Sequence, residues 1–333
     1  MKRFLATLAA GAVAIATFAG SALAQKEVTI GYQLVFNPWK VAIKDGTFEK
    51  VTGYKINWKR FDSGAKVITA MASGDVDIAM AGSSPIAAGV SRGLPIKLFW
   101  IMENINDAEA LVVRNGSGIV APQDLKGKKI GVPFVSTTHF HMLFALEQFG
   151  IQPSEVQLLN MQPNAIAAAW ERGDIDAAFV WDPALGRIKQ SGKVLLTSGD
   201  LSNWGKATFD GTIVRNDFAD ANKDFMCKFV KTVAEADAAW RDNPDSFGPD
   251  SDNAKKIVAL AGGEAKDVKG VLSLYDFPTL DAQASDTWLG GGAQSALKAT
   301  SEFLKQEKKV DKLLPDYGAV VTGAFVKAAM GGC

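Results

Sequence analysis

Two cysteines and two histidines in 333 residues leave little material for thiol or metal chemistry. The histidines, His139 and His141, form a His-x-His pair with no cysteine nearby. On a helix, positions two apart point in different directions, so the pair is a poor metal signal. Also missing are a Gly-x-Ser-x-Gly elbow, a P-loop and a Gly-x-Gly-x-x-Gly fingerprint. Ser136 and His139 are close enough for a nucleophile pair, but no orienting carboxylate is evident. Charge of one sign is lacking too: 36 Lys and Arg balance 36 Asp and Glu. Nucleic acid and anionic lipid call for a basic excess, so both are disfavoured as partners. Neither a cofactor nor a metal is indicated. The residues argue for binding over catalysis.

Long apolar runs are scarce as well, and the one that exists sits at the start. Lys2 and Arg3 precede an apolar run from Phe4 to Ala19, and Ala22-Leu23-Ala24 supplies a small-x-small cleavage pattern. This predicts an export leader over 1–24, with the mature chain starting at Gln25. The run is short for a retained membrane anchor, and no cysteine follows it to carry a lipid. Loss of Lys2 and Arg3 takes the net charge to −2. Cys227 and Cys333 are then the only thiols in an oxidising compartment, where they either pair and tie down the C-terminus or stay free. The sequence leaves both open.

What the chain does have is a duplication. Ser73-Gly74-Asp75-Val76-Asp77 and its following apolar run reappear 99 residues later around Gly173-Asp174-Ile175-Asp176. Each run ends in a polar residue and a proline, at Ser84-Pro85 and Asp182-Pro183. Upstream, Ile30-Gly31 precedes its Gly-Asp by 44 residues, and Ile130-Gly131 precedes its own by 43. Two βαβαβ units of matching length follow from this.

Alternation and turn residues predict strands at Glu27–Gln33, Lys55–Phe61, Ile78–Ala81, Ile96–Met102 and Ala110–Val113 for the first lobe. Lys129, Val156–Met161, Ala177–Val180 and Val194–Thr197 begin or form those of the second. Helical spacing covers Trp39–Phe48, a helix capped at Asp62-Ser63-Gly64, one opened by Gly82-Ser83-Ser84-Pro85, Thr138–Phe149 and Ala165–Glu171. After Asp224 the pattern is helical: Phe225–Arg241, Asn253–Ala261 and Asp281–Glu307. Thr212-Ile213-Val214-Arg215 echoes Leu111-Val112-Val113-Arg114, and the two are expected to form the hinge. The fold class is α/β, with two βαβ-type lobes joined by a two-strand hinge. Lobe one is expected over 25–113 and 213–333, and lobe two over 114–212.

In such sheets, ligands collect outside the carboxyl ends of the strands. That places Gln33, Gly82 to Ser84, Phe134 to Thr138 and Trp181-Asp182 around one mouth. Ser136-Thr137-Thr138 ahead of a helix combines hydroxyls with unpaired N–H groups and the positive end of a helix dipole, an anion site. Ser83-Ser84 repeats the device in the other lobe, although each hydroxyl serves equally as a plain helix cap. Glu109, Asp182 and Asp210 bring carboxylates to the same rims, and Trp181 offers a ring face to a cation. An anion site facing carboxylates suits a zwitterion. Asp75, Asp77, Asp174 and Asp176, at helix-to-strand turns, are expected to do capping duty.

These stretches carry a resemblance. Phe61-Asp62-Ser63-Gly64-Ala65, Gly82-Ser83-Ser84-Pro85, Pro133 to His139 (PFVSTTH), Ala167 to Asp176 (AAAWERGDID) and Val180-Trp181 resemble the periplasmic taurine-binding proteins of bacterial ABC importers. The wider family binds sulfonates, nitrate and taurine. The likeness covers most of the mature chain and thins after Ala219. It implies a type II periplasmic binding fold, a monomer in the periplasm, and delivery of ligand to a membrane permease. It places a sulfonate on Ser83, Ser84, Ser136, Thr137 and Thr138, and the taurine ammonium on Glu109 and Asp210. Asn37-Pro38-Trp39, Asp182 and Gly331-Gly332-Cys333 depart from the pattern; the extra carboxylate of Asp182 is expected near the amine end. Alternatives are a nitrate or alkanesulfonate carrier, the input protein of a membrane sensor, and an enzyme similar to the thiamine-pyrimidine synthases. The last depends on a cysteine-rich motif that this sequence lacks.

Overall fold

The computed structural model describes residues 25–333, and the leader read at 1–24 lies outside them. Ten strands run, in chain order, β1 (Glu27–Gln33), β2 (Lys55–Phe61), β3 (Ile78–Gly82), β4 (Ile96–Asn104) and β5 (Glu109–Arg114). They continue with β6 (Lys129–Val132), β7 (Gln157–Asn160), β8 (Ala177–Trp181), β9 (Gly192–Thr197) and β10 (Phe209–Arg215). They form two five-stranded sheets, ordered β2-β1-β3-β10-β4 and β7-β6-β8-β5-β9. The sheets have the same layout: three parallel strands, then an antiparallel one, then an edge strand. Inner strands β3 (IAMAG) and β8 (AAFVW) are buried along their whole length, because helices cover both faces. Polar residues fall on the outer strands β2 and β7.

The antiparallel strand in each sheet comes from the other lobe's stretch of chain. β5 follows β4 directly yet pairs with β8 and β9. β10 follows β9 yet pairs with β3 and β4. This corrects the expectation that Ala110–Val113 complete the first sheet. The lobes therefore divide within the links 105–108 and 198–208, not at 113/114 and 212/213. Strand alternation marks a segment as extended but does not say which sheet edge accepts it. The links run side by side: the Ile105 N–H donates to the Thr208 carbonyl at 3.1 Å, and Thr197 Oγ1 donates to Asp107 Oδ1 at 2.6 Å.

The repeated aspartates hold each lobe together. Asp77 Oδ2 accepts from the Thr29 N–H at 2.9 Å, and Asp176 Oδ2 accepts from the Lys129 N–H at 2.9 Å. The arginine that ends each visiting strand comes up beside the same carboxylate, Arg215 at 3.9 Å from Asp77 and Arg114 at 3.7 Å from Asp176. Two expected helices are broken. Trp39–Phe48 becomes Trp39–Lys44 and Thr47–Thr52, and Asp281–Glu307 becomes Leu280–Gln283 and Gly292–Gln306. A side chain on Gly292 would place Cβ 2.0 Å from the Thr287 carbonyl oxygen, so the tight turn there demands glycine. Cys227 and Cys333 form a disulfide, with Cα atoms 5.7 Å apart, that fastens the end of the chain to helix Lys223–Asp242.

Candidate functional site

The carboxyl ends of the strands converge on a small cavity between the two sheets. Six of the ten expected site residues line it: Gln33, Glu109, Ser136, Thr137, Trp181 and Asp210. Ser83, Ser84, Thr138 and Asp182 do not. Ser83 and Ser84 are buried in the first turn of their helix, and the Ser84 hydroxyl has no partner there. Thr138 Oγ1 lies 2.8 Å from Ser136 Oγ, which itself donates to the Pro133 carbonyl at 2.6 Å and accepts from the His139 N–H at 3.1 Å. Ser136 is thus an N-cap as well as a lining residue. Asp182 turns away and accepts from the Gly186 N–H at 3.0 Å. It opens on a separate hollow bounded by Pro183, Gly263 and Asp267. The expectation that it adds a carboxylate to the amine end is therefore corrected: its side chain caps the following helix.

Three helices begin at the cavity wall. Gly64–Ala72, Ser83–Ser91 and Thr137–Gln148 start at or beside Gly64, Gly82 and Thr137, all of which line it. First-turn N–H groups have no acceptor within their own helix, and the aligned peptide dipoles make each start electropositive. The Gly64 start was legible only as a turn and cap. The strand-end rule that marked the other loops applies equally to it, since it follows β2. Gly82 meets the opposite lobe closely: a Cβ there would lie 2.8 Å from Thr137 Cγ2, and 3.2 Å from Asp210 Oδ1 of its own sheet.

Glu109 and Asp210 form the opposing wall, each at the start of a visiting strand. Glu109 Oε1 accepts from Thr137 Oγ1 at 2.5 Å, and Oε2 lies 3.0 Å from Ser198 Oγ. Burial pushes the Glu109 carboxyl up to about 8; Asp210 adds to the rise, while the Thr137 and Ser198 hydrogen bonds oppose it. Burial raises Asp210 to about 6, against the influence of neighbouring Glu103 and the charge of Lys40. Trp181 sits opposite Glu109 in the β5–β8 ladder and so presents its ring on the same side of the sheet. Trp39 is enclosed by Phe48, Trp58 and Phe229, and Trp204 is half exposed beside Phe149.

Behind Asp210 lies a charged layer that sequence reasoning missed. Glu103 pairs with Asp210 across the β4–β10 ladder and is fully buried. Burial raises its carboxyl well above the usual range, and the nearby Asp210 and Asp237 add to the rise. Lys40 is fully buried too; its Nζ donates to Asn37 Oδ1 at 2.8 Å and lies 5.5 Å from the centre of the Tyr32 ring. Burial lowers Lys40 to about 7. Single charges within strands and short helices belong to no motif, so nothing in the pattern marks them. His139 stacks on Phe134 at 4.4 Å between ring centres, and His141 points the other way toward Ser198. Among the described residues no group of three or more His, Cys, Asp or Glu side chains is placed to hold a metal.

Two duplicated α/β lobes, linked by two crossing segments and closed on a polar cavity, define a periplasmic-type binding protein. The crystal structure of the periplasmic aliphatic sulphonate binding protein from Escherichia coli has this fold, with a TM-score of 0.72, 22% identity, and coverage of 91% of this chain and 99% of that one. A family model described as NMT1/THI5 like matches residues 35–247, and the chain belongs to that family. The chain is 41% identical over 300 residues to the taurine-binding periplasmic protein of Escherichia coli (strain K12), covering 90% of this chain and 92% of that protein. It is 27% identical to a putative aliphatic sulfonates-binding protein of Bacillus subtilis (strain 168), over 92% and 88%.

Proposed function

We propose that this protein captures taurine in the interlobe cavity, outside the cytoplasm, and presents it to the membrane permease of an ABC importer. One observation carries the reading: three helix starts and two carboxyl groups, drawn from both lobes, line a single small cavity. The helix starts suit a sulfonate, which stays ionised at biological pH and needs donors, not a counter-ion. Glu109 and Asp210 suit the ammonium two carbons away. Because ligand contacts come from both lobes, binding drives hinge closure, and the closed form is what a permease recognises. The 41% relative named for taurine supports the choice of ligand. Both cysteines are committed to the disulfide, which leaves no thiol nucleophile for an enzymatic reading.

Selectivity follows from desolvation. Sulfate or a simple alkanesulfonate fills the anion end but leaves buried carboxyl groups without a cation, at a cost of about 3–5 kcal/mol if they ionise. Titration calorimetry with taurine and ethanesulfonate tests this. Asp210→Asn is expected to weaken taurine about 100-fold and to leave ethanesulfonate within a few-fold. Equal losses for both ligands would remove the ammonium role.

A further inference from the structure

His141 touches no ligand wall, yet its two ring contacts constrain every hydrogen between it and Glu109. Nε2 lies 2.7 Å from the Lys206 carbonyl oxygen, which only accepts, so Nε2 always carries a hydrogen. Nδ1 lies 2.8 Å from Ser198 Oγ. Burial pulls His141 down to about 4, so the ring is neutral in the free protein and Nδ1 is a bare acceptor. Ser198 has one hydroxyl hydrogen, and Nδ1 takes it. Ser198 Oγ also lies 3.0 Å from Glu109 Oε2, a spacing at which Ser198 donates to an ionised Glu109 and accepts from a protonated one. Glu109 is the carboxyl that burial keeps protonated at neutral pH. Its other oxygen accepts from Thr137, so each hydrogen in the series has one acceptor.

We infer that Glu109, Ser198 and His141 form a proton relay, in which the arriving ligand ammonium ionises Glu109 and sends its proton to His141 instead of to solvent. This rests on the reading of the ligand as taurine. In the step, the Oε2–H bond of Glu109 breaks as its hydrogen passes to Ser198 Oγ. The former hydroxyl hydrogen of Ser198 bonds to His141 Nδ1. The products are a carboxylate, a hydroxyl and an imidazolium that donates to Ser198 and Lys206; ligand release reverses the step. No electron moves and no proton leaves the protein. Ser198 and His141 are positioning residues: they set the charge on Glu109 without touching the ligand.

The surroundings favour a closed exchange. Asp210 lines the same cavity near enough to raise Glu109, and Tyr275 lies within range of both carboxyl groups. Phe140 and Phe179 flank the His141 ring. The Lys206 ammonium is held 5.7 Å from the centre of the Phe144 ring. Asp107 and Asp200 are occupied by Thr197, next to Ser198. The ammonium draws Glu109 down while the ionised Glu109 draws His141 up, and both changes favour transfer.

Nitrogen NMR of the full mature protein reads the relay directly. The free protein should show His141 as the neutral Nε2–H tautomer, and taurine should convert it to imidazolium at pH 7. Ethanesulfonate, which lacks the ammonium, should leave it neutral. Calorimetry in buffers of different ionisation enthalpy should find almost no proton released on taurine binding, against nearly one proton for His141→Phe and for Ser198→Ala. In those variants taurine affinity should rise close to tenfold per pH unit below pH 8, where the wild-type profile is flat. Taurine binding with His141 still neutral, or with a full proton released by the wild type, overturns the relay. Failure of the wild type to bind taurine at all overturns the functional reading instead. The NMR measurement needs no variant, so it stands even if a substitution unfolds the chain.

Discussion

At the level of single residues, Gly82 shows how a position with no side chain controls a binding site. Its backbone, at φ −66°, suits any residue, so glycine is not there for its conformational freedom. It is there because Thr137 of the opposite lobe comes within a methyl group's reach. Gly82→Ala is therefore expected to leave thermal stability nearly unchanged and to weaken taurine tenfold or more, mostly through faster dissociation, since overpacking costs about 1–3 kcal/mol. Stopped-flow release of taurine checks it; an unchanged off-rate with a lowered melting temperature would mean the crowding is felt in the open form as well. Legibility at this scale was uneven. Gln33, Glu109, Ser136, Thr137, Trp181 and Asp210, expected from the strand-end rule and the resemblance together, line one cavity. Lys40 and Glu103 were not, because a buried charge announces itself through its neighbours in space and leaves no spacing in the chain.

The elements behave as the repeat implied, with one exchange. β1 to β3 and β6 to β8 are duplicate parallel units, and their boundaries fall close to where alternation put them. β5 and β10 are the exchanged pair, and they carry Glu109 and Asp210 to the same cavity. Had each strand stayed with its preceding neighbours, the two carboxyl groups would not stand where two sheets end at one cavity. The long C-terminal elements are held by the Cys227–Cys333 bond, which closes a loop spanning 106 positions. In the chain-entropy account a loop of that size stabilises by up to about 4.7 kcal/mol. Cys333→Ser is expected to cost about 2–4 kcal/mol in denaturant unfolding. Neither cysteine lines the cavity, so taurine affinity should be retained.

For the whole molecule, the concentration of buried acids predicts an unusual pH response. Glu103, Glu109, Asp182, Asp210 and Asp237 all have carboxyl groups raised by burial, to about 8 for Glu109 and about 6 for Asp182 and Asp210. The folded protein holds protons that the unfolded chain has already released above about pH 4. Their stabilisation is therefore greatest below that pH and is lost as pH rises through the folded values. His139 and His141, lowered to about 4, work in the opposite direction between about pH 4 and 6.5, and Lys40, lowered to about 7, joins them as pH nears 7, but the five acids outnumber them. The melting temperature of the ligand-free protein should fall from pH 5 to pH 7, as differential scanning calorimetry would show. A rise over that range would mean the acids are ionised in the free form.

Some of this was settled by order along the chain and some only by folding. Periodicity, turn residues and the repeated Gly-Asp-x-Asp were enough for the α/β class, the two lobes, most element boundaries and the loops at the strand ends. Those features depend on residues near one another in the chain, where sterics and local hydrogen bonds act. Which sheet receives β5 and β10, and which charges lie behind Asp210, depend on partners far along the chain. Those choices were made by packing, which decides what is buried, and burial in turn decides which groups hold a proton.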